Sequence, residues 1–128
     1  MDTAEGRDAR RTREGARVKV DLPATLGARE PRPARVVDLS ERGCLVGSEK
    51  PLARGAVVDL NVELPDGPLR VKARVAEASI DGDTLPDARR RFLSGLEFLG
   101  LAAVAGVRLR TFVDAEWRRS RGAHPAPS

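Results

Sequence analysis

The sequence predicts a mostly β protein: a small six-stranded antiparallel (split) β-barrel with a C-terminal α-helix. Along most of the chain, apolar residues alternate with polar ones in short runs that are separated by turns rich in Gly and Pro. This pattern is typical of antiparallel strands with one buried face. After Gly100 the apolar residues recur every three or four positions, which indicates a helix. About six short strands followed by one helix favour a small barrel.

The strands are predicted from alternation and from the turns between them. The most regular pair is joined by Pro-Asp-Gly-Pro at 65–68, which indicates a hairpin. Residues 80–91 are hydrophilic and contain Gly and Pro, so we expect a loop there. The predicted strands cover residues 18–26, 35–38, 44–47, 56–64, 69–75 and 92–101.

The C-terminal helix is predicted to be amphipathic and to cover one open end of the barrel. Residues 1–12 mix charges of both signs without an apolar period and predict a flexible N-terminal arm. We therefore expect the barrel domain with its helix at 13–119 and a disordered tail at 120–128. The apolar stripe of the helix consists of Leu101, Ala105, Leu109, Phe112, Val113 and Trp117.

The composition is that of one small globular domain. The chain has 128 residues, of which 41% are hydrophobic and 33% charged. It has neither a long apolar run nor a hydrophobic N-terminus, so we expect no membrane span or signal peptide and a cytoplasmic location. The single cysteine, Cys44, lies in an apolar strand and is expected to be buried.

Catalytic and metal-binding residue sets are missing from the sequence. The only histidine, His124, lies in the predicted tail, so no Ser-His-Asp or Cys-His arrangement is available. The Asp-Gly-Asp at 81–83 lacks the later ligands of a calcium loop. We therefore expect a protein that is not an enzyme and that needs no metal or cofactor.

The charge is moderately basic and is carried mostly by arginine. Lys and Arg number 23 against 19 Asp and Glu, which gives a net charge of +4. Arginine binds phosphate and guanine bidentately, so this bias is compatible with a nucleotide ligand. The few aromatic residues argue against a platform for single-stranded nucleic acid, which relies on stacking rings.

Two short motifs provide the candidate binding residues. Asp38, Ser40 and Gly43 form D-x-S-x-x-G between two apolar runs, which indicates a hairpin corner. We expect Asp38 and Ser40 to lie side by side on one face, and Gly43 to adopt a positive φ. Arg13 and Arg17 form R-x-x-x-R directly before the first strand. An arginine fork matches guanine O6/N7 or phosphate, and Asp accepts hydrogen bonds from guanine N1–H and the exocyclic amine.

The order R-x-x-x-R, strand, D-x-S-x-x-G resembles the PilZ family of cyclic di-GMP receptors. Gly95-Leu96-Glu97-Phe98 is similar to the G-x-x-F strand near the end of that domain, and the resemblance covers roughly residues 10–118. It implies a β-barrel that binds cyclic di-GMP through Arg13, Arg17, Asp38, Ser40 and Gly43. It also implies an arm that becomes ordered on binding and signals to an unidentified partner protein.

The resemblance extends to the number of ligands. Thr12 occupies the position before the first motif arginine, which in this family influences whether one cyclic di-GMP or an intercalated pair binds. Arg10 and Arg11 are expected to help hold a second molecule.

Other interpretations of the same residues stay open. Asp38 and Ser40 can cap a turn through their side chains, and a hairpin can require Gly43 without any ligand. The chain can then be a PilZ-like protein adaptor that binds no nucleotide. A basic β-barrel that binds nucleic acid non-specifically is a further alternative, favoured by the high pI and opposed by the few aromatic residues.

Overall fold

The computed structural model describes residues 16–84 and 90–122 and forms a closed antiparallel β-barrel with one helix. The strands lie around the barrel in the order β1-β2-β3-β6-β5-β4. The predicted six-stranded barrel with a C-terminal helix is therefore confirmed, and the barrel is closed. The elements are β1 Val18–Leu26, β2 Arg32–Leu39, β3 Gly43–Ser48, β4 Val57–Leu64, β5 Gly67–Thr84, β6 Arg90–Leu99 and α1 Ala103–Gly122.

The core fills the barrel interior with aliphatic side chains. Because successive strand residues point to opposite faces, the alternating runs direct every second side chain inward. Val36, Val46, Leu60 and Val62 are at most 1% exposed. Each such side chain stabilises the fold by about 1.5–3 kcal/mol relative to leaving it in water. The apolar residues whose alternation predicted the strands are thus the ones that the barrel buries.

The hairpin of β5 and β6 is longer than the sequence predicted. β5 continues to Thr84 and β6 begins at Arg90, so the predicted loop over 80–91 is wrong at both ends. β4 pairs with β5 only as far as Arg74, and the rest of β5 pairs with β6 alone. β6 still pairs with β3 from Glu97 to Phe92, so only the hairpin beyond Ile80 and Phe92 extends past the barrel wall, where strand pairing does not require the alternating pattern. Residues 85–89 lie outside the described part of the chain.

The helix covers one end of the barrel, as predicted. Leu109 and Val113 are buried, while Phe112 and Trp117 are half-buried against the core. Val18 pairs with Leu39 at the start of β1, and Gly43 pairs with Glu97 near the end of β6. Since α1 follows β6, the β2–β3 turn and the start of β1 lie at the same end as the helix, which we call the helix end.

Arg108 fastens the helix to the β4–β5 turn. Its guanidinium donates to both carboxylate oxygens of Asp66, at 3.2 and 2.8 Å, and to the carbonyls of Gly67 and Pro68, both at 2.8 Å. These bonds lower the pKa of Asp66 and raise that of Arg108. The side-chain fork therefore holds α1 against this turn at the helix end.

Two further properties concern the described residues as a whole. No helix among them is long and apolar enough to cross a membrane. In the same residues, no group of three or more His, Cys, Asp or Glu side chains is arranged to hold a metal ion. The predicted N-terminal arm and most of the predicted tail lie outside the described part of the chain.

Candidate ligand-binding site

A β-bulge turns the Asp38 carboxylate out of the barrel. In a regular strand Asp38 would share the inward face with Val36, which is fully buried. The pairing of β2 with β3 shifts between Val36 and Asp38. A bulge of this kind redirects the side chain that follows it. Asp38 consequently lies on the outer wall with 25% of its side chain exposed, while Leu39 is buried in the core.

Two cations from the beginning of β1 flank this carboxylate. Arg17 Nη1 donates to Asp38 Oδ1 at 3.4 Å, and the Arg17 side chain is 57% exposed. Lys19 is exposed and lies directly opposite Asp38 in the β1–β2 pairing. A guanidinium has five N–H donors, and this long contact uses one of them. The site thus combines one acceptor with two positive charges that remain accessible to an anionic ligand.

Ser40 closes the β2–β3 turn with its side chain. Its hydroxyl accepts from the backbone N–H groups of Arg42 and Gly43 and donates to the Gly43 carbonyl, each at 3.2 Å. Ser40 N–H also donates to Gly43 O at 2.9 Å. A hydroxyl has one donor and two acceptor positions, so all three are occupied. Ser40 is 5% exposed, and it shapes the corner beside Asp38 from within the turn.

Gly43 is required for a reason other than the predicted one. Its φ is not among the positive φ values, so the expectation of a left-handed backbone is wrong. A Cβ at this position would lie 2.1 Å from the Leu96 carbonyl oxygen of β6. Real Cβ atoms do not approach backbone oxygen this closely, so only glycine allows β3 to pair with β6 here.

The G-x-x-F strand lies next to this corner. Phe98 N–H donates to the Arg42 carbonyl at 2.8 Å, which joins the end of β6 to the β2–β3 turn. The Phe98 side chain is half-buried and packs against the core. Gly95 lies opposite Leu45 in the β3–β6 pairing. The two sequence motifs are therefore adjacent in space although they are distant along the chain.

The structure brings together part of the predicted set. Arg17, Asp38, Ser40 and Gly43 lie within one corner at the helix end of the barrel. Lys19 joins them and was not predicted as a site residue. Its spacing of two from Arg17, on the same outward face of an extended chain, is the signal that identifies it. The other predicted residues, Arg10, Arg11, Thr12 and Arg13, lie outside the described residues.

Cys44 lies beneath the site and, as predicted, is buried. Burial raises the pKa of the Cys44 thiol from 9.0 to about 12, while Arg17 lowers it and Asp38 raises it by smaller amounts. The thiol is therefore neutral wherever the barrel is folded near neutral pH, and it is a poor nucleophile.

The raised pKa predicts how stability depends on pH. Above pH 9 the unfolded chain loses the thiol proton while the folded chain keeps it to about pH 12. The free energy of unfolding of wild type, relative to Cys44→Ala, should therefore be constant below pH 9 and fall by about 1.4 kcal/mol per pH unit above it. Urea titrations of both proteins between pH 7 and 11 measure this difference. A difference that stays constant throughout would contradict the buried thiol.

A closed six-stranded antiparallel barrel with a helix over one end places this protein among the small antiparallel β-barrels, and its wall has a cation-flanked carboxylate. The family model of the PilZ domain matches residues 9–115, which is most of the chain. The chain belongs to the PilZ domain family. No curated protein sequence matches it with significant similarity.

Solved structures share this architecture. The PilZ domain of YcgR from Escherichia coli, solved with c-di-GMP, has a TM-score of 0.68 and 15% identity over 84% of this chain and 92% of that chain. The K. pneumonia MrkH–c-di-GMP complex gives a TM-score of 0.70 and 14% identity, over 84% of this chain and 52% of that chain. The inhibitor of motility MotI/DgrA from Bacillus subtilis gives a TM-score of 0.65 and 19% identity, over 85% of this chain and 51% of that chain.

These similarities establish the fold. The chain spans about half the length of MrkH and of MotI/DgrA, and nearly the whole of the YcgR PilZ domain. The side chains at the helix end determine what the described part of this chain can bind.

Proposed function

We propose that this protein is a receptor for cyclic di-GMP. The observation that carries the proposal is the meeting of Arg17, Lys19 and Asp38 on the outer wall, at a corner held by Ser40 and Gly43. The similar structures support it, since the PilZ domain of YcgR and the protein MrkH, which share this fold, have been solved with c-di-GMP. The proposed role is that of a receptor and effector, without catalysis.

The chemistry of the corner suits a guanine nucleotide with negative phosphates. Asp38 accepts from guanine N1–H and the exocyclic amine, a pattern that adenine does not offer. The Arg17 fork binds phosphate oxygens or guanine O6 and N7, and Lys19 adds a second positive charge. On binding, Arg17 and Asp38 replace their mutual contact with contacts to the ligand. The free energy lost by breaking that contact is small, because exposed ion pairs contribute at most about 1 kcal/mol.

The proposed mechanism uses the segment before β1. Arg13 supplies the second motif guanidinium, and Arg10, Arg11 and Thr12 lie beside a second ligand molecule where two bind. A dianionic ligand offsets the repulsion among these arginines and favours the segment closed over the barrel wall. The closed segment and the neighbouring wall then present a changed surface to a partner protein.

Asp38→Ala tests the guanine contact. We expect the affinity for cyclic di-GMP to fall by about 10- to 100-fold, because hydrogen bonds to a charged acceptor contribute about 1.5–3 kcal/mol. The affinity for cyclic di-AMP, measured by the same calorimetric titration, should change little. Asp59→Ala is the matched control, since Asp59 is an outward carboxylate paired with Lys72 on another strand. Equal losses for the two nucleotides would indicate damage to the turn and would contradict the guanine contact.

An adaptor that binds no nucleotide is the second candidate. The complete use of the Ser40 hydroxyl inside the turn favours it, because this motif residue has a structural role without a ligand. An adaptor would show no heat of binding with cyclic di-GMP at any concentration that saturates a receptor.

A further inference from the structure

Five outward-facing residues lie directly opposite one another on five neighbouring strands. Asp38 pairs with Lys19 on one side and Leu45 on the other, Leu45 pairs with Gly95, and Gly95 pairs with Glu77. We call these residues the cross-strand row. It begins at the site described above and continues across β3 and β6 to β5. The row thus joins the carboxylate of Asp38 to a second carboxylate, that of Glu77.

Both carboxylates face outward because of a β-bulge. In a regular strand, Asp38 would face inward with Val36, and Glu77 would face inward with Val75. Val36 and Val75 are buried, and Asp38 is partly exposed. Glu77 is exposed, as are its neighbours Ala76 and Ala78, so its outward direction follows from its pairing with Gly95, which in turn pairs with Leu45. The strand pairing shifts between the two residues in each case. Bulges beside functional sites redirect side chains in this way, so two independent bulges place one acceptor on β2, next to Lys19, and another on β5 at the far end of the row.

Gly95, which lies between Leu45 and Glu77 in the row, is not required by the fold. Its φ is not positive, and a Cβ there would meet nothing closer than Glu77 Cβ at 3.7 Å, an ordinary contact. Glycine weakens a strand, and a strand glycine often marks a bulge or the close approach of a ligand or another backbone. The β5 bulge lies opposite Gly95, but a Cβ at Gly95 would fit beside it, so the bulge does not require glycine there. Gly43 differs because packing excludes every other residue there. Because Gly95 has no side chain, the outer surface between Leu45 and Glu77 is open.

The distance across the row exceeds the reach of one base. The backbones of Asp38 and Glu77 are three strand spacings apart, about 14 Å at about 4.8 Å each. A single guanine edge does not bridge two carboxylates at this separation. A ligand with two guanines offers a donor edge to each of them.

We propose that the cross-strand row extends the ligand site and that Glu77 binds the second guanine of cyclic di-GMP. This inference rests on the proposed function. Asp38 accepts from N1–H and the exocyclic amine of one guanine, and Glu77 accepts from the same groups of the other. Leu45 and the open surface at Gly95 lie under the ligand between them. The row therefore selects a dinucleotide with guanine on both sides.

Gly95→Val tests the surface. The barrel should keep about its wild-type melting temperature, because a Cβ at this position meets only ordinary contacts and valine favours strands. The affinity for cyclic di-GMP should fall at least about tenfold, because the valine occupies space that the ligand requires. A folded variant that binds like wild type would overturn the proposal.

Glu77→Gln tests the second acceptor and leaves the backbone alone. We compare cyclic di-GMP with the 3′,3′ cyclic GMP–AMP hybrid, which has one guanine. Wild type should prefer cyclic di-GMP, and Glu77→Gln should reduce this preference by about tenfold, since an amide provides one acceptor oxygen instead of two. Glu63→Gln, an exposed acid on β4, should keep the wild-type preference. An unchanged preference in Glu77→Gln would overturn the proposal even if Gly95→Val does not fold.

These outcomes separate this inference from the proposed function. Wild type that binds no cyclic di-GMP overturns both. A different result overturns only the role of the row: wild type binds cyclic di-GMP, Arg17→Ala does not, and Gly95→Val and Glu77→Gln bind it as wild type does.

Discussion

Arg17→Ala is expected to abolish detectable cyclic di-GMP binding while changing the free energy of unfolding by less than about 1 kcal/mol. The binding loss follows from the position of Arg17 beside Asp38 at the start of β1. The small effect on stability follows from the exposure of this ion pair, 57% and 25% for the two side chains, with a long contact of 3.4 Å. Calorimetric titration and urea denaturation of the same preparation measure the two quantities.

Conservative and matched variants sharpen this test. Arg17→Lys should restore binding poorly, because an ammonium does not reproduce the planar fork. Arg35→Ala removes another exposed arginine of the barrel wall, paired with Asp21 at 2.6 Å, and should bind like wild type. Arg13→Ala should show the same loss as Arg17→Ala. Normal binding by Arg17→Lys would show that the bidentate assignment is wrong.

Gly43→Ala is expected to destabilise the fold by at least about 2 kcal/mol, in the range of overpacking. The added Cβ would lie 2.1 Å from the carbonyl oxygen of Leu96, and neither atom belongs to a flexible side chain. The β3–β6 pairing or the β2–β3 turn must therefore shift. Urea denaturation measures the loss, and a shifted turn should also lower nucleotide affinity by displacing Asp38.

Gly95→Ala is the matched control for stability. It lies in the same pair of strands, and its Cβ would meet only Glu77 atoms at 3.7 Å or more. It should unfold at nearly the wild-type denaturant concentration. If Gly43→Ala is as stable as Gly95→Ala, the close approach of β3 and β6 is not what requires glycine at position 43.

Much of the fold was predictable because a half-buried strand leaves a local pattern. β1 has the predicted bounds of Val18 and Leu26, and the switch to a helical period after Gly100 located α1. The outer part of the β5–β6 hairpin was missed. It extends beyond the barrel wall, where strands pair without the alternation on which the prediction relied.

The proximity of the candidate residues was predictable where the motif itself names them. Arg17 and Asp38 lie together, as the motif order implied. The role of Gly43 was misjudged because its close contact is with Leu96, far along the chain, and a local pattern does not report such contacts. Glu77, the proposed second acceptor, was not among the candidates from the sequence, because its outward direction depends on a bulge, which is a property of two paired strands.

Titration calorimetry of wild type with cyclic di-GMP, beside GTP and a single-stranded oligonucleotide, tests the central claim most directly. The convergence of Arg17, Lys19 and Asp38 predicts saturable binding of cyclic di-GMP. The second guanine contact proposed at Glu77 predicts at least about a hundredfold weaker binding of GTP, which has one base. The oligonucleotide should bind only weakly, with an affinity that falls steeply as salt rises. Absence of a heat of binding with cyclic di-GMP at millimolar concentration would contradict the receptor function.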